Sequence, residues 1–378
     1  MKTTSARSVA WLYAVFFVTG TATVLAGNIL PLLARDGGFR DGDIALALAT
    51  QFGGQLVGPM IAWKKPQFGL GVGCVVVSIA AALLPLVAGP MYFVTLAAYG
   101  FGLGIAMTMA NVLVGLESSA EDRVSRLELL NIFWPLGAAF CGWWLGRFSL
   151  PHLQVWPQWT ISIACAIAAL WALLRPSSEG AKLVDEGVAD AFDWPRLAML
   201  AFLALLVVGV ETGIANWLPS FAVHYQHGYA DLLVPLSSAF WLGILGGRLL
   251  AAKTFEGQTP ARWTMPTVVA LSLVGVVLLA TGKSSMVFYL GTLLAAVGVA
   301  PVYPALLAEA MPMRGKGIVF VMAGIGSALL PWVTGRVAVA CHTLRFGFAA
   351  LAVCAALLLV GLSVESFSTS ALASHRPH

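Results

Sequence analysis

The sequence predicts an all-α membrane protein: twelve transmembrane helices in two pseudo-symmetric six-helix bundles. Three observations carry that expectation. First, 59% of the 378 residues are hydrophobic and only 10% are charged, whereas a soluble domain carries about a quarter charged residues; so much apolar surface needs lipid as its solvent. Second, stretches of about 20 apolar residues recur between short polar breaks. Third, several motifs return six spans later. Helices are the spanning element because lipid cannot satisfy an open backbone, and barrel strands would alternate polarity every second residue.

The spans read as 9–33, 43–63, 68–89, 91–116, 127–148, 155–174, 197–222, 232–252, 263–282, 284–309, 316–337 and 343–364. Met1 to Ala10 is too short and polar for a signal peptide, and the apolar run behind it is longer than a cleavable signal core. Span 1 ends in "VLAGNILPLLA", with Asn28 three residues before Pro31. Span 2 carries Gln51 and Gln55 one turn apart, and Gly54 and Gly58 in G-x-x-x-G spacing. The run "GFGLG" in span 4 follows no strand and opens no phosphate-binding helix, so it predicts close helix packing. Asn111 follows in the same span. In span 5, "NIFWPLG" brings Asn131, Trp134 and Pro135. The longest break, "RPSSEGAKLVDEGVADAFDWPR", is polar and acidic and reads as a cytoplasmic linker. The organisation expected is a bundle over 1–174, a linker over 175–196, a second bundle over 197–364 and a cytoplasmic tail over 365–378.

The second half repeats the first. Span 7 contains "ETGIANWLPSFA", so Asn216 to Pro219 matches Asn28 to Pro31, with Glu211 standing where the first copy has Thr23. Span 8, "FWLGILGGRLL", holds Trp241, Gly243, Gly247 and Arg248; its two glycines match Gly54 and Gly58. Span 10 holds Pro301, Tyr303 and Pro304, and its prolines predict a kink able to gate. Spans 5 and 11 share a terminal Gly-Arg, which aligns Gly137 with Gly326. Two six-helix units related by an internal repeat are a transporter architecture. Fifteen of the 21 Lys and Arg fall on the side that carries both termini and six on the other, so both termini are expected in the cytoplasm of a multi-pass inner-membrane protein.

At these residues the sequence resembles the major facilitator superfamily, and within it the fucose–proton symporter-like branch and related bacterial sugar permeases. The carriers are "VGVETGIANWLPSFA", "FWLGILGGRLL", "LNIFWPLGAAFCG" and "APVYPALLAEA". The resemblance implies a central cavity lined mainly by spans 1, 4, 7 and 10 and open alternately to each side. One departure stands out: where the superfamily has an Asp in the loop after span 2, "GPMIAWKKPQFG" has Ala62.

Glu211 is the strongest chemical signal. It falls near mid-membrane, and no Lys, Arg or His lies near the middle of another span to pair with it. A lone carboxylate there costs several kcal/mol. It is therefore expected to take a proton, hold Na⁺, or meet a cationic or hydroxyl-rich solute; the alternative is a neutral Glu bonded to a neighbouring helix. Asn28 and Asn216 either relieve backbone carbonyls at proline kinks or contact solute hydroxyls, because an amide both donates and accepts. Asn111, Gln51 and Gln55 divide the same way between solute contact and helix–helix bonding. Trp134, Trp217, Trp241 and Tyr303 are the aromatic candidates, since sugars offer C–H faces to rings; Trp143, Trp144 and Trp332 read as an interfacial belt. Glu117, Arg126 and Arg248 are gate candidates near the cytoplasmic ends.

The cysteines (Cys74, Cys141, Cys165, Cys341 and Cys354) show no metal or redox spacing and read as packing residues. No hydrolase elbow, zinc-protease helix, nucleotide loop or basic nucleic-acid face appears, which leaves an enzyme reading without chemistry. The expectation is a monomeric secondary transporter that contacts lipid and a small solute, most simply a sugar or polyol. It needs no cofactor beyond a coupling ion, H⁺ or Na⁺, carried at Glu211. The rival is an exporter of amphipathic or cationic compounds with Glu211 as charge sensor.

Overall fold

The computed structural model describes residues 10–60, 65–118, 123–147, 155–175, 193–225, 235–254, 263–310 and 313–374. Most of the expected linker, the acidic turn at Glu121 and Asp122, Ala62 and the last residues of the tail lie outside them. Among the described residues every element is helical, as the fold class requires. The order is α1 (Ala10–Asp36), α2 (Asp41–Val57), α3 (Pro66–Leu83), α4 (Pro90–Glu117), α5 (Arg123–Arg147), α6 (Trp156–Leu174) and α7 (Trp194–Tyr225). It continues with α8 (Leu236–Thr254), α9 (Thr264–Thr281), α10 (Ser285–Val299), α11 (Val302–Ala310), α12 (Gly317–Ala340) and α13 (Leu344–Ser374). Short 3₁₀ turns, Gly58–Met60 and Leu84–Leu86, extend α2 and α3.

Among the described residues ten spans are long and apolar enough to cross a bilayer, with α10 and α11 together forming one of them, Ser285–Ala310. The expected spans 2 and 8 fall short of that standard. Helix α2 has 17 residues and opens on Asp41 and Asp43, and the apolar stretch of α8 runs only Leu236–Ala251. Both give up length and hydropathy to polar side chains, including Gln51, Gln55 and Arg248. At the far end, α13 continues to Ser374, past the expected span end at 364, while its apolar span stops at Val364.

Prolines 31, 135, 219 and 331 sit inside continuous helices. Each removes one N–H, a loss that one bent turn accommodates. Pro301 and Pro304 act within a single turn and remove two donors. There the helix breaks: α10 ends at Val299 and α11 restarts at Val302.

The chain forms two compact units, one holding α1–α6 together with His227–Ser238, the other holding α7 and Ala239–His378. The internal repeat is visible within each unit by itself. In the first, a Cβ on Gly137 of α5 would enter the Phe17 carbonyl of α1; in the second, a Cβ on Gly326 of α12 would enter the Leu205 carbonyl of α7. Likewise Gly54 and Gly58 seat α2 on the backbone of α4, and Gly243 and Gly247 seat α8 on Ala296 and Ala300 at the end of α10. These contacts let backbones approach where lipid supplies no hydrophobic drive to bring helices together. A valine at Gly137 or Gly326 is therefore expected to destabilise by about 1–3 kcal/mol through overpacking. Gly246→Val, with nothing within 4 Å of its Cβ, is the control that should leave the thermal unfolding of purified protein in detergent nearly unchanged.

Candidate functional site

The repeated N-x-L-P segments adopt the same local arrangement. Asn28 Nδ2 donates to the Val24 carbonyl at 2.9 Å, and Asn216 Nδ2 donates to the Thr212 carbonyl at 2.8 Å. Pro31 and Pro219 free the carbonyls of Gly27 and Ala215, so the asparagines bond a neighbouring turn rather than the carbonyl at the kink. Their second atoms diverge. Asn28 Oδ1 accepts from Ser237 Oγ at 2.9 Å. Asn216 Oδ1 is buried with no hydrogen-bond partner among the described residues, and so is Ser220 Oγ one turn further along α7.

The amides of α2 separate as well. Gln51, fully buried, donates from Nε2 to the Thr23 carbonyl of α1 at 2.8 Å and leaves Oε1 unsatisfied. Gln55 turns toward α4, with Nε2 3.3 Å from Met107 Sδ, and also leaves Oε1 unsatisfied. Asn111 donates to the carbonyl of that same Met107 at 2.9 Å. The two glutamines therefore share a helix but reach different neighbours. Trp134 is partly buried against the core that includes Leu12, Phe16 and Ile105. Glu117 closes α4 and Arg126 lies in the first turn of α5.

In the second unit the structure corrects one expectation. Glu211 does have an ionic partner: Arg248 Nη2 lies 3.7 Å from Glu211 Oε1. Sequence position obscured this because Arg248 sits only six residues before the end of α8, where it read as a gate residue. The long guanidinium arm carries its charge to the level of Glu211, which lies midway along the 32-residue α7. The Glu211 side chain is 10% exposed and that of Arg248 29% exposed. Tyr303, on the separate helix α11, lies within electrostatic reach of both. A coupling candidate, a gate candidate and a solute candidate thus come together as one cluster. Trp241 is buried edge-on to Phe240, with ring centroids 5.4 Å apart. Trp217 is committed elsewhere: its indole Nε1 donates to the Pro331 carbonyl at 2.8 Å, tying α7 to the bent turn of α12.

Two further polar clusters were missed from the sequence. Arg196, in the first turn of α7, pairs with Glu309 at the end of α11. At the other end of α7, Arg345 donates to the Ala280 carbonyl at 3.1 Å and stacks over Tyr225, 4.6 Å from the ring centroid. Tyr225 in turn shares a 2.8 Å hydrogen bond with Thr343. The only available signal was the placement of Arg196, Glu309 and Arg345 at span ends, which does not reveal partners. Glu211 lies between these clusters, roughly 20 Å from each at 1.5 Å rise per residue.

A sequence model of the Major Facilitator Superfamily matches residues 12–316. The glucose/mannose transporter GlcP of Bacillus subtilis (strain 168) is 26% identical, over 63% of this chain and 63% of its own. The chain therefore spans about 63% of the length of the curated relative it matches. Among solved structures, a bacterial homologue of the human lysosomal transporter Spinster aligns with TM-score 0.75 at 12% identity, covering 97% of each chain. The nucleoside transporter NupG aligns at 0.71 with 14% identity, over 95% of this chain and 98% of that one. The E. coli fucose:proton symporter FucP aligns at 0.61 with 15% identity, over 94% and 98%. At such identities the solved structures speak to the fold.

The indole bond of Trp217 gives a direct test of its place in the site. Trp217→Phe is expected to lower stability by about 1 kcal/mol, the net value of one buried hydrogen bond, read as a reduced unfolding temperature in detergent. If Trp217 instead donated to the solute, transport would fall while that temperature held.

Proposed function

This chain belongs to the Major Facilitator Superfamily, and from that premise we propose that it moves a small polar solute, a sugar or polyol, by proton-coupled alternating access, with Glu211 as the coupling group. The observation that carries the reading is the Glu211–Arg248 pair at the middle of α7, in a span long enough to cross the membrane. The sugar assignment draws support from the glucose/mannose transporter relative and from the amides and aromatic rings of the candidate site. A bacterial plasma membrane with both termini in the cytoplasm fits the charge distribution.

Magnitudes favour a switch over a fixed strut. At 3.7 Å two unit charges attract by about 4 kcal/mol at an effective dielectric near 20. Removing two charges from water costs several kcal/mol each. Arg248 keeps 29% of its side chain exposed and so bears less of that cost. That leaves the attraction and the penalty on Glu211 of similar size and lets a proton on Glu211 tip the balance. The same geometry argues against Na⁺ as coupling ion and against a cationic export cargo. Arg248 already occupies the electrostatic niche beside Glu211, and a second cation would meet its repulsion.

In this cycle Glu211 takes a proton from the outer side, solute binds, access changes, and both leave inward. Glu211→Gln fixes the neutral state. In proteoliposomes the variant should lose accumulation of D-glucose driven by a pH gradient while retaining counterflow exchange. Undiminished concentrative uptake by Glu211→Gln would remove the carboxylate from the coupling mechanism.

A further inference from the structure

The transporter reading leaves a donor of the central ion pair unused. Arg248 Nε is buried and has no hydrogen-bond partner among the described residues. Glu211 meets the guanidinium only through Nη2, at 3.7 Å, well beyond the roughly 2.7–2.9 Å of a charge-assisted hydrogen bond. A guanidinium presents its N–H groups in a rigid fork, and the edge formed by Nε and one Nη matches the two oxygens of a carboxylate. That edge is half-engaged here by one distant oxygen. A solute hydroxyl fills neither both donors nor the charge.

We infer that the transported solute carries a carboxylate, received by the Nε edge of Arg248 in place of Glu211. The inference rests on the transporter reading above and specifies the chemistry of its solute as a sugar acid. The charges around the pair allow the exchange. From α8, Arg248 is the charged group acting on Glu211; from α11, Tyr303 brings a neutral hydroxyl within reach. The Arg196–Glu309 pair ties α11 to the start of α7 and Arg345 stacks on Tyr225 at its end, while Arg336 lies near the end of α12. When the solute carboxylate takes Arg248, Glu211 loses its cation. A lone carboxylate at that depth is costly, so an incoming proton forms an O–H bond on it. One negative charge and one proton enter together, and the net charge of the cluster is unchanged.

Tyr303 stands at the rim of this exchange. It lies two residues past the break at Pro301, on the short helix that also carries Glu309. Its hydroxyl, which both donates and accepts, suits a sugar ring held next to a carboxylate on Arg248.

The test measures binding of D-glucuronate, D-glucose and L-lactate to the purified full-length protein in detergent, at one acidic and one alkaline pH. D-glucuronate is expected to bind the unmodified protein at least about tenfold more tightly than D-glucose, as a charge-assisted bidentate contact adds. Its affinity should rise at acidic pH, where protonated Glu211 releases Arg248. Arg248→Lys keeps the charge but removes the Nε edge, and should weaken D-glucuronate about tenfold while D-glucose holds. Glu211→Gln should raise D-glucuronate affinity at alkaline pH to its acidic value. D-glucose binding as tightly as D-glucuronate, or an equal loss of both in Arg248→Lys, overturns the carboxylate inference and leaves the sugar reading standing. L-lactate binding through Arg248 with neither sugar binding keeps the carboxylate and removes the sugar; no binding of all three overturns both. The comparison of ligands on unmodified protein decides the matter even where a variant does not fold.

Discussion

Lipid offers no hydrogen bonds, and each polar group of the spans must find its partner inside the helices. The backbone solves this by becoming helical over most of the described residues. Side chains solve it by folding back on their own helix. Asn28, Asn111, Asn131 and Asn216 each donate an amide N–H to the carbonyl four residues earlier. Thr23 and Thr212 do the same with their hydroxyls. With much polarity turned inward in this way, close approach of neighbouring helices falls to Gly54, Gly58, Gly137 and Gly326, beside a few side-chain ties such as Gln51 to the Thr23 carbonyl and Trp217 to the Pro331 carbonyl.

Function then resides in what this economy leaves over. An asparagine that has given one N–H to the backbone keeps its second N–H and its carbonyl oxygen. Of the two N-x-L-P asparagines, Asn28 has engaged the carbonyl oxygen as well, with Ser237. The buried atoms still unsatisfied, among them Gln51 Oε1, Asn216 Oδ1 and Arg248 Nε, are the exceptions that a native structure needs a reason to keep. Two are acceptors and one belongs to a cation. Within the second unit the two leftovers differ in kind: Asn216 Oδ1 can accept from a hydroxyl, and Arg248 Nε can donate to an anion.

Much of the fold was legible in the sequence because the signals are local. A run of about 20 apolar residues needs no knowledge of its neighbours to be recognised as a span. The repeat was legible because Gly137 and Gly326, and the paired G-x-x-x-G steps, record the same helix crossing twice. The break at Pro301 and Pro304 was expected as a kink and became a full interruption, since two donors are lost in one turn. The site was less legible, because its chemistry depends on register between helices. Glu211 announced itself by its cost, but Arg248 lay near a span end, and only the folded chain shows that its side chain reaches the carboxylate. The Arg196–Glu309 pair was hidden for the same reason: 113 residues separate its members. Trp217 shows the converse failure, an aromatic residue with the right company whose N–H is already used by a backbone carbonyl.

The difference between the two copies carries the final step. At the level of Thr23, the first unit receives an amide from α2: Gln51 Nε2 holds the Thr23 carbonyl, while the Thr23 hydroxyl is turned back to Thr19. Both bonds are neutral and involve backbone carbonyls, which neither a proton nor a solute displaces easily. At the matching level of the second unit, Glu211 replaces Thr23 and the tie runs side chain to side chain, from Arg248 to a carboxylate. Such a tie has two stable conditions, paired and protonated, because the carboxylate can lose its charge and the cation can change partner. Duplication thus supplied the same local segment twice, and only the second copy carries an ionisable side chain at this position.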